Sequence, residues 1–353
     1  MFKERIEFLK GLLEDKDADA VLVTTTPNIF YFTGFRGAWG MPSTLFLIVE
    51  EDEIVPLTSV MEEERVKIET GFSPVTYPRF GDREEYLISL LKDRLGVRRL
   101  LYDELDTQLY ERLKASLGDL RWVGREILVK RSVKSQGEIR LMRKAAEITT
   151  KVMAELPDIL RPGMVEYRVA AEMGRRALEL GADELCFPPI VASGERSSLP
   201  HGQATDKRIP RDSIVLVDFG IRYRGYCSDY TRIYFLGNPP RKLVKAKELT
   251  EKAYERSIAK VVAGEDGREA FQEAFKVYEE AGWDRYFLHS LGHGVGITVH
   301  EYPALSHKEV ELKENQVVTV EPGIYFPGIG GVRLENTVLV GRDGAEPLSH
   351  LPF

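Results

Sequence analysis

Ser213-Ile214-Val215-Leu216-Val217-Asp218-Phe219, then Arg222-Tyr223-Arg224-Gly225, then Tyr226-Cys227-Ser228-Asp229-Tyr230-Thr231-Arg232-Ile233-Tyr234-Phe235: the fold is decided by this stretch. Two β-branched and aromatic runs around a glycine-containing turn read as a β-hairpin. A turn centred between Tyr223 and Arg224 places Asp218 directly opposite Asp229. Cross-strand partners have Cβ atoms roughly 4.5–5.5 Å apart. Carboxylates on apolar strands are costly to bury unless a cation neutralises them. Two divalent ions about 3.5–4 Å apart fit between such a pair.

Further along the chain, three more segments have the same character. His293 is flanked by glycines in Leu291-Gly292-His293-Gly294-Val295-Gly296. Glu321 follows Val317-Val318-Thr319-Val320 and precedes Pro322-Gly323-Ile324-Tyr325. Glu335 closes Gly331-Val332-Arg333-Leu334-Glu335. Residues 317–326 and 332–340 form a second hairpin around the turn-rich 327–331. That loop centres one residue away from the register that would pair Glu321 with Glu335, so the pairing requires a bulge. Oxygen-rich ligation with one imidazole suits hard or borderline divalent ions. Taken singly, each acid is a strand cap and the histidine a loop residue; only the set of five points to metal.

Competing motifs fail on context. Asp218-Phe219-Gly220 mimics a kinase metal-binding triplet without its glycine-rich nucleotide loop. The glycines around His293 do not make the dinucleotide fingerprint. His300-Glu301 begins like a zincin helix, but position 304 is Ala where a second histidine is required, and Pro303 interrupts.

In order and in flanking residues, Asp218, Asp229, His293, Glu321 and Glu335 resemble the pita-bread metallopeptidases: methionine aminopeptidase, aminopeptidase P and prolidase. Ser193-Gly194-Glu195-Arg196-Ser197-Ser198-Leu199-Pro200-His201-Gly202 is similar to the histidine-bearing segment of the Xaa-Pro branch. The resemblance implies two divalent metal ions per subunit, manganese or cobalt, with zinc as the alternative. It implies that Asp218 chelates one ion, that Asp229 and Glu335 bridge both, and that His293 and Glu321 complete the second. It further implies a metal-bridging hydroxide as nucleophile, Glu321 as proton carrier, and hydrolysis of the bond between an N-terminal residue and proline. His201 and His300 match substrate-facing positions. His289 is read as a structural hydrogen-bonding group, and His307 and His350 as surface residues. Arg333, two residues before Glu335 on one strand face, is read as orienting Glu335 or substrate. Trp39, in the loop 35–40, is a candidate wall of a proline-sized pocket.

Two departures bear on specificity and ligation. Some prolidases carry Arg after His-Glu-x-Pro to clamp a dipeptide carboxylate; Ala304 cannot, leaving Lys308 or Arg36 as substitutes. Asn336 stands where many relatives carry Asp, but faces away from the ligands. The alternatives from other classes are a metal-free pita-bread binding module and a creatinase-like amidinohydrolase.

Composition and charge point away from nucleic acid and membrane as partners. The chain has 353 residues and a net charge of −7, which disfavours nucleic acid. Residues 1–16 carry charges throughout and lack a signal-peptide core. No apolar run approaches the ~20 residues that span a bilayer. Cys186 and Cys227 are the only cysteines. They read as packing residues in a reducing compartment, hence a cytoplasmic protein. Charged residues make up 30% of the chain, against four Asn and five Gln; the bias fits heat adaptation.

The organisation is a two-domain one. Residues 1–125 alternate strands and helices as an α/β domain: a helix over 2–14, strands at 20–23, 44–49, 53–56, 74–77 and 99–102, and helices over 84–95 and 103–117. Pro27-Asn28 breaks the first strand, and the apolar run 29–32 follows it. The basic run 130–135 reads as a solvated connector. Residues 126–353 read helix (138–156), helix (166–180), hairpin, helix (243–262), helix (268–281), hairpin, as in an α+β pita-bread catalytic domain with pseudo-twofold symmetry. The presence of a domain in front points to the aminopeptidase P and prolidase branch and, by resemblance, to a homodimer.

Overall fold

Ala20-Val21-Leu22-Val23 and Phe46-Leu47-Ile48-Val49 are buried on both faces, so their sheet must be covered on both sides. The computed structural model describes residues 2–37, 46–50 and 53–353; Trp39 lies outside them. The chain divides into two compact units, Met1–Arg131 and Ser132–Phe353.

In the first unit, six strands run in the order Val75–Tyr77, Ile54–Ser59, Phe46–Val49, Ala20–Val23, Arg99–Tyr102, Asp119–Trp122. The hairpin Phe46–Val49/Ile54–Ser59 is antiparallel, and the outer pairs are parallel. Residues 29–32 belong to a helix, Thr26–Thr33. Pro27 sits in its first turn, where the missing N–H is not needed. Asp103, expected to open a helix, is instead a buried anchor. It accepts from Thr24, Thr25 and Asn28, and the helix starts at Thr107 under the Asp106 cap. The helices Glu63–Thr70 and Gly124–Ser132 carry too weak an amphipathic pattern to be read from sequence.

The run 130–135 is not a solvated connector. Arg131, Ser132 and Lys134 are buried. Arg131 donates to Asn28 Oδ1 at 2.7 Å, and Lys134 N–H donates to Asn315 O at 2.9 Å. A charge run looks solvated in sequence because its partners lie over a hundred positions away.

The second unit repeats one plan twice. Gln136–Ala154 and Glu166–Glu179 precede the sheet of Ile190–Ser193, Ser213–Phe219 and Tyr230–Leu236. Arg241–Ile258 and Gly267–Glu280 precede the sheet containing Gly292–Gly294, Val317–Val320 and Asn336–Val340. The residue capping the second helix of each half makes a matching isolated bridge: Val165 with Arg208, Asp266 with Glu311. This is the duplicated α+β arrangement of the pita-bread fold.

Register corrects both hairpins. Asp218 pairs with Thr231, not with Asp229. The turn is Arg224-Gly225, flanked by Tyr223 and Tyr226, one residue later than the sequence suggested. Both turn residues have positive φ, 49° and 89°, the requirement of the two-residue turn that matches strand twist. A shift of one residue in the turn centre moves each cross-strand partner by two, so Asp218 and Asp229 keep the same face. In the second hairpin no bulge is needed. Val320 pairs with Asn336 and Gly323 with Arg333, so Glu321 and Glu335 stand opposite each other between two ladders of one register. The loop is the three residues Pro327, Gly328 and Ile329.

Cys186 and Cys227 are not free packing thiols; they form a disulfide. The strand Ile221–Tyr223 lies between their segments, pairing Ile221 with Leu185 and Arg222 with Cys227. With the bond in place, the argument from cysteine usage to a reducing compartment falls. Among the described residues no helix is long and apolar enough to cross a membrane.

Candidate metal centre

The two hairpins deliver their acids to one cavity of about 350 Å³, lined by Asp218, Asp229, His293, Glu321, Glu335, His201, His289, His300 and Arg333 among others. Asp229, His293 and Glu335 each offer a ligand atom, and these atoms lie within 4.8 Å of one another. His293 Nε2 is 3.3 Å from Glu321 Oε1 and 3.7 Å from Asp229 Oδ2. Its Nδ1 lies 3.1 Å from Gly294 O. That carbonyl can only accept, which assigns the proton to Nδ1 and leaves Nε2 a lone pair facing the carboxylates.

Threonines hold the acids in place. The Thr231 hydroxyl donates to Glu335 Oε2 at 2.5 Å. The Thr337 hydroxyl donates to Asp229 O at 2.6 Å. The Thr319 hydroxyl lies 3.1 Å from Glu321 Oε1 and receives the His293 N–H at 3.0 Å. None of these was singled out from sequence, although each sits on the same strand as a ligand or one strand away.

Electrostatics argue that the site is made for cations. Among the described residues lining the cavity, four carboxylates face one guanidinium, that of Arg333. Burial, then Glu335 and Asp218, push Asp229 well above the ordinary carboxylate range. Burial, then Glu321 and Asp218, do the same to Glu335. Glu321 is raised by burial. Among the described residues, Asp218 Oδ1 and Asp229 Oδ1 are buried and find no hydrogen-bond donor. Buried oxygens without donors are costly, and a divalent ion satisfies both the lone pairs and the charge. The donor set fits the implied metal.

Of the two partners expected for Arg333, Glu335 is replaced by Asp218, while the residue still lines the cavity where substrate would sit. Its guanidinium donates to Asp218 Oδ2 at 2.6 Å, Tyr325 Oη at 2.8 Å, Pro200 O at 3.0 Å and Thr231 Oγ1 at 3.1 Å. It clamps Asp218 and not Glu335. Burial opposes its charge, but Tyr325 and the acids hold it protonated.

Both substrate-facing candidates, His201 and His300, line the cavity. The His300 ring lies against His293, centroids 4.1 Å apart. Burial and then His293 push its pKa down to about 4, so it is a neutral imidazole at pH 7. His289 also lines the cavity, with Nδ1 2.7 Å from Ser290 O and Nε2 2.9 Å from Tyr325 Oη; both nitrogens have protein partners. His307 and His350 are exposed. Ala304 is exposed and pairs with His293. Asn336 turns away, accepting from Arg232 and donating to Tyr254.

The family model of metallopeptidase family M24 matches residues 140–342, and that of the creatinase/prolidase N-terminal domain matches residues 5–132. The chain is 36% identical over 349 residues to the Xaa-Pro dipeptidase of Pyrococcus furiosus, covering 98% of each. The crystal structure of X-Pro aminopeptidase from Thermotoga maritima is similar at TM-score 0.90 and 32% identity, covering 98% of both chains. The prolidase of Pyrococcus horikoshii is similar at TM-score 0.91 and 32% identity, covering 99% of both.

Proposed function

The chain belongs to metallopeptidase family M24 and is a metalloexopeptidase with a creatinase/prolidase N-terminal domain, and from that premise we propose that it hydrolyses the bond between an N-terminal residue and proline. The observation that carries the metal-dependent part is the meeting of Asp229, His293 and Glu335 within 4.8 Å, beside buried oxygens that find no hydrogen-bond donor among the described residues. The named relatives support the Xaa-Pro part.

Two divalent ions, manganese or cobalt, would be held by Asp218, Asp229, His293, Glu321 and Glu335. When bound they supply Lewis acidity at the scissile carbonyl and the activation of water. The protein's own groups do the rest. Glu321, its pKa raised by burial, is suited to take a proton from the attacking water and deliver it to the proline nitrogen. Thr319 keeps Glu321 Oε1 oriented. His300, neutral at pH 7, offers an N–H to a substrate oxygen without adding charge, and His201 contributes a second polar group at the cavity wall. Arg333 holds Asp218 and balances part of the acid charge. Phe187, Pro188, Ile190, Pro200 and Val299 line the same cavity and give an apolar surface for a pyrrolidine ring.

Substrate length follows from Ala304, which offers no guanidinium to a dipeptide carboxylate. Tripeptides and longer peptides are therefore accepted at least as well as dipeptides. A homodimer is carried by the resemblance alone, and light scattering checks it. The deciding experiment is hydrolysis of matched Xaa-Pro dipeptides, Xaa-Pro-Yaa tripeptides and Xaa-Ala controls, after metal stripping and reloading with Mn²⁺ or Co²⁺. Equal rates on the alanine controls, or full activity without metal, overturn the proposal.

A further inference from the structure

His300-Glu301, which imitates the start of a zincin helix in sequence, has its histidine in the cavity and its glutamate behind it. Glu301 is not among the lining residues. Its side chain is 4% exposed and faces the Lys134 side chain, 1% exposed, with Oε2 and Nζ 3.6 Å apart. Glu301 Oε1 accepts from the backbone N–H of Ile297 at 2.9 Å and of Thr298 at 3.0 Å. The Thr298 hydroxyl lies 2.9 Å from His300 O and 3.3 Å from Glu301 Oε1. The chain over 296–300 thus coils around one carboxylate. The approach is so close that a Cβ on Gly296 would collide with Glu301 Oε2, so any larger residue there must displace the carboxylate. Lys134 is fixed in turn by its N–H to Asn315 O and by the bridge between Val133 and Gln316.

A buried ion pair is a poor device for stability, because desolvation consumes most of the Coulomb gain. Segment 296–300 has no regular strand ladder; the Cys227 N–H tethers Gly296 O and Arg222 donates to Ile297 O, and the hydrogen bonds to Glu301 set the bend that leads from there to His300. We propose that Glu301 and Lys134 are a positioning pair that fixes the His300 ring against His293 and toward substrate. Glu301 supplies the acceptors that shape the bend, and Lys134 sets its ammonium against the other oxygen of that carboxylate. The proposal rests on His300 being a substrate-facing group.

The test is a mutant cycle on the metal-loaded full-length enzyme. Glu301→Gln removes the charge at nearly constant volume. It is expected to lower kcat about 10²-fold with KM little changed, since a displacement of about 1 Å has that cost. Metal stoichiometry by mass spectrometry stays at the wild-type value. In a His300→Ala background the same change has an effect below about twofold, because residues acting as one unit are not additive. Lys134→Met behaves as Glu301→Gln does. Should Glu301→Gln not fold, Thr298→Val, at a half-buried position, replaces it, with a kcat loss of about tenfold that also vanishes in the His300→Ala background. A normal kcat in the variant, a full additive loss without His300, or loss of metal overturns the positioning pair. A normal kcat in His300→Ala overturns the functional reading of His300 as well, which separates the two failures.

Discussion

Replacing Arg333 by Met tests the electrostatics of the site most directly. Arg333 is 3% exposed, and its guanidinium makes four hydrogen bonds, the shortest to Asp218 Oδ2 at 2.6 Å. Its loss strands Asp218 among three other acids and leaves Pro200 O and Tyr325 Oη without a donor. Breaking a buried ion pair by removing one partner costs about 3–5 kcal/mol. The lost neutral hydrogen bonds add about 1 kcal/mol each, part of which relaxation returns. For a unit of this size each kcal/mol shifts Tm by about 2–4 °C. The catalytic unit of the metal-stripped variant is therefore expected to melt roughly 6–20 °C below wild type. Bound divalent ions supply the missing positive charge, so the deficit shrinks in Mn²⁺. Arg333→Lys falls between, because one ammonium keeps the charge but cannot reach four acceptors in a planar fork. Scanning calorimetry with and without metal reads all three. A metal-free Arg333→Met within about 1 °C of wild type would refute the reasoning, as would a deficit unchanged by metal.

Asp229→Ala or Glu335→Ala should remove bound metal and lower activity by several orders of magnitude, checked by metal analysis and peptide hydrolysis. His201→Ala and His300→Ala should each reduce turnover about 10²–10³-fold with metal content unchanged; loss of metal in the His300 variant would move that residue to the ligand set. Ala304→Arg should shift the kcat/KM ratio toward dipeptides by about tenfold, measured on matched Xaa-Pro and Xaa-Pro-Yaa substrates. For pH, Asp229 and Glu335 have folded-state pKa values raised above the unfolded ones, so the folded protein binds more protons. Their stabilisation is complete below the ordinary carboxylate range and is lost as pH rises through the raised values. The imidazoles, pushed down by burial, oppose this only on acidification below their unfolded value. Through the range above the imidazole region in which Asp229 and Glu335 still hold protons in the folded protein, the Tm of the metal-stripped enzyme should therefore fall with rising pH, and the increment from added metal should grow; a flat or rising apo Tm as these acids ionise contradicts the assignment.

Much of this protein was legible along the chain because the information is local. A period of two told which residues of each hairpin share a face, and glycine-rich turns told roughly where the strands reverse. That parity survived a misplaced turn centre. Asp218 pairs with Thr231, yet it still faces the same side as Asp229, since the error was two residues and not one. The four acids and the imidazole were legible because each sits in an apolar or glycine-rich setting that offers a lone polar group no local partner. What could not be read was whatever depends on groups brought together from distant positions. Arg333 went to Asp218, 115 positions away, because a buried fork takes the acceptors that surround it, and their identity is set by how two hairpins stack. Lys134 left an apparently solvated run to meet Glu301. Cys186 and Cys227, 41 positions apart, were joined across an intervening strand. Local periodicity determines faces and elements; only the packed fold determines which charges and sulfurs meet, because those energies depend on burial and distance, and no sequence spacing encodes either.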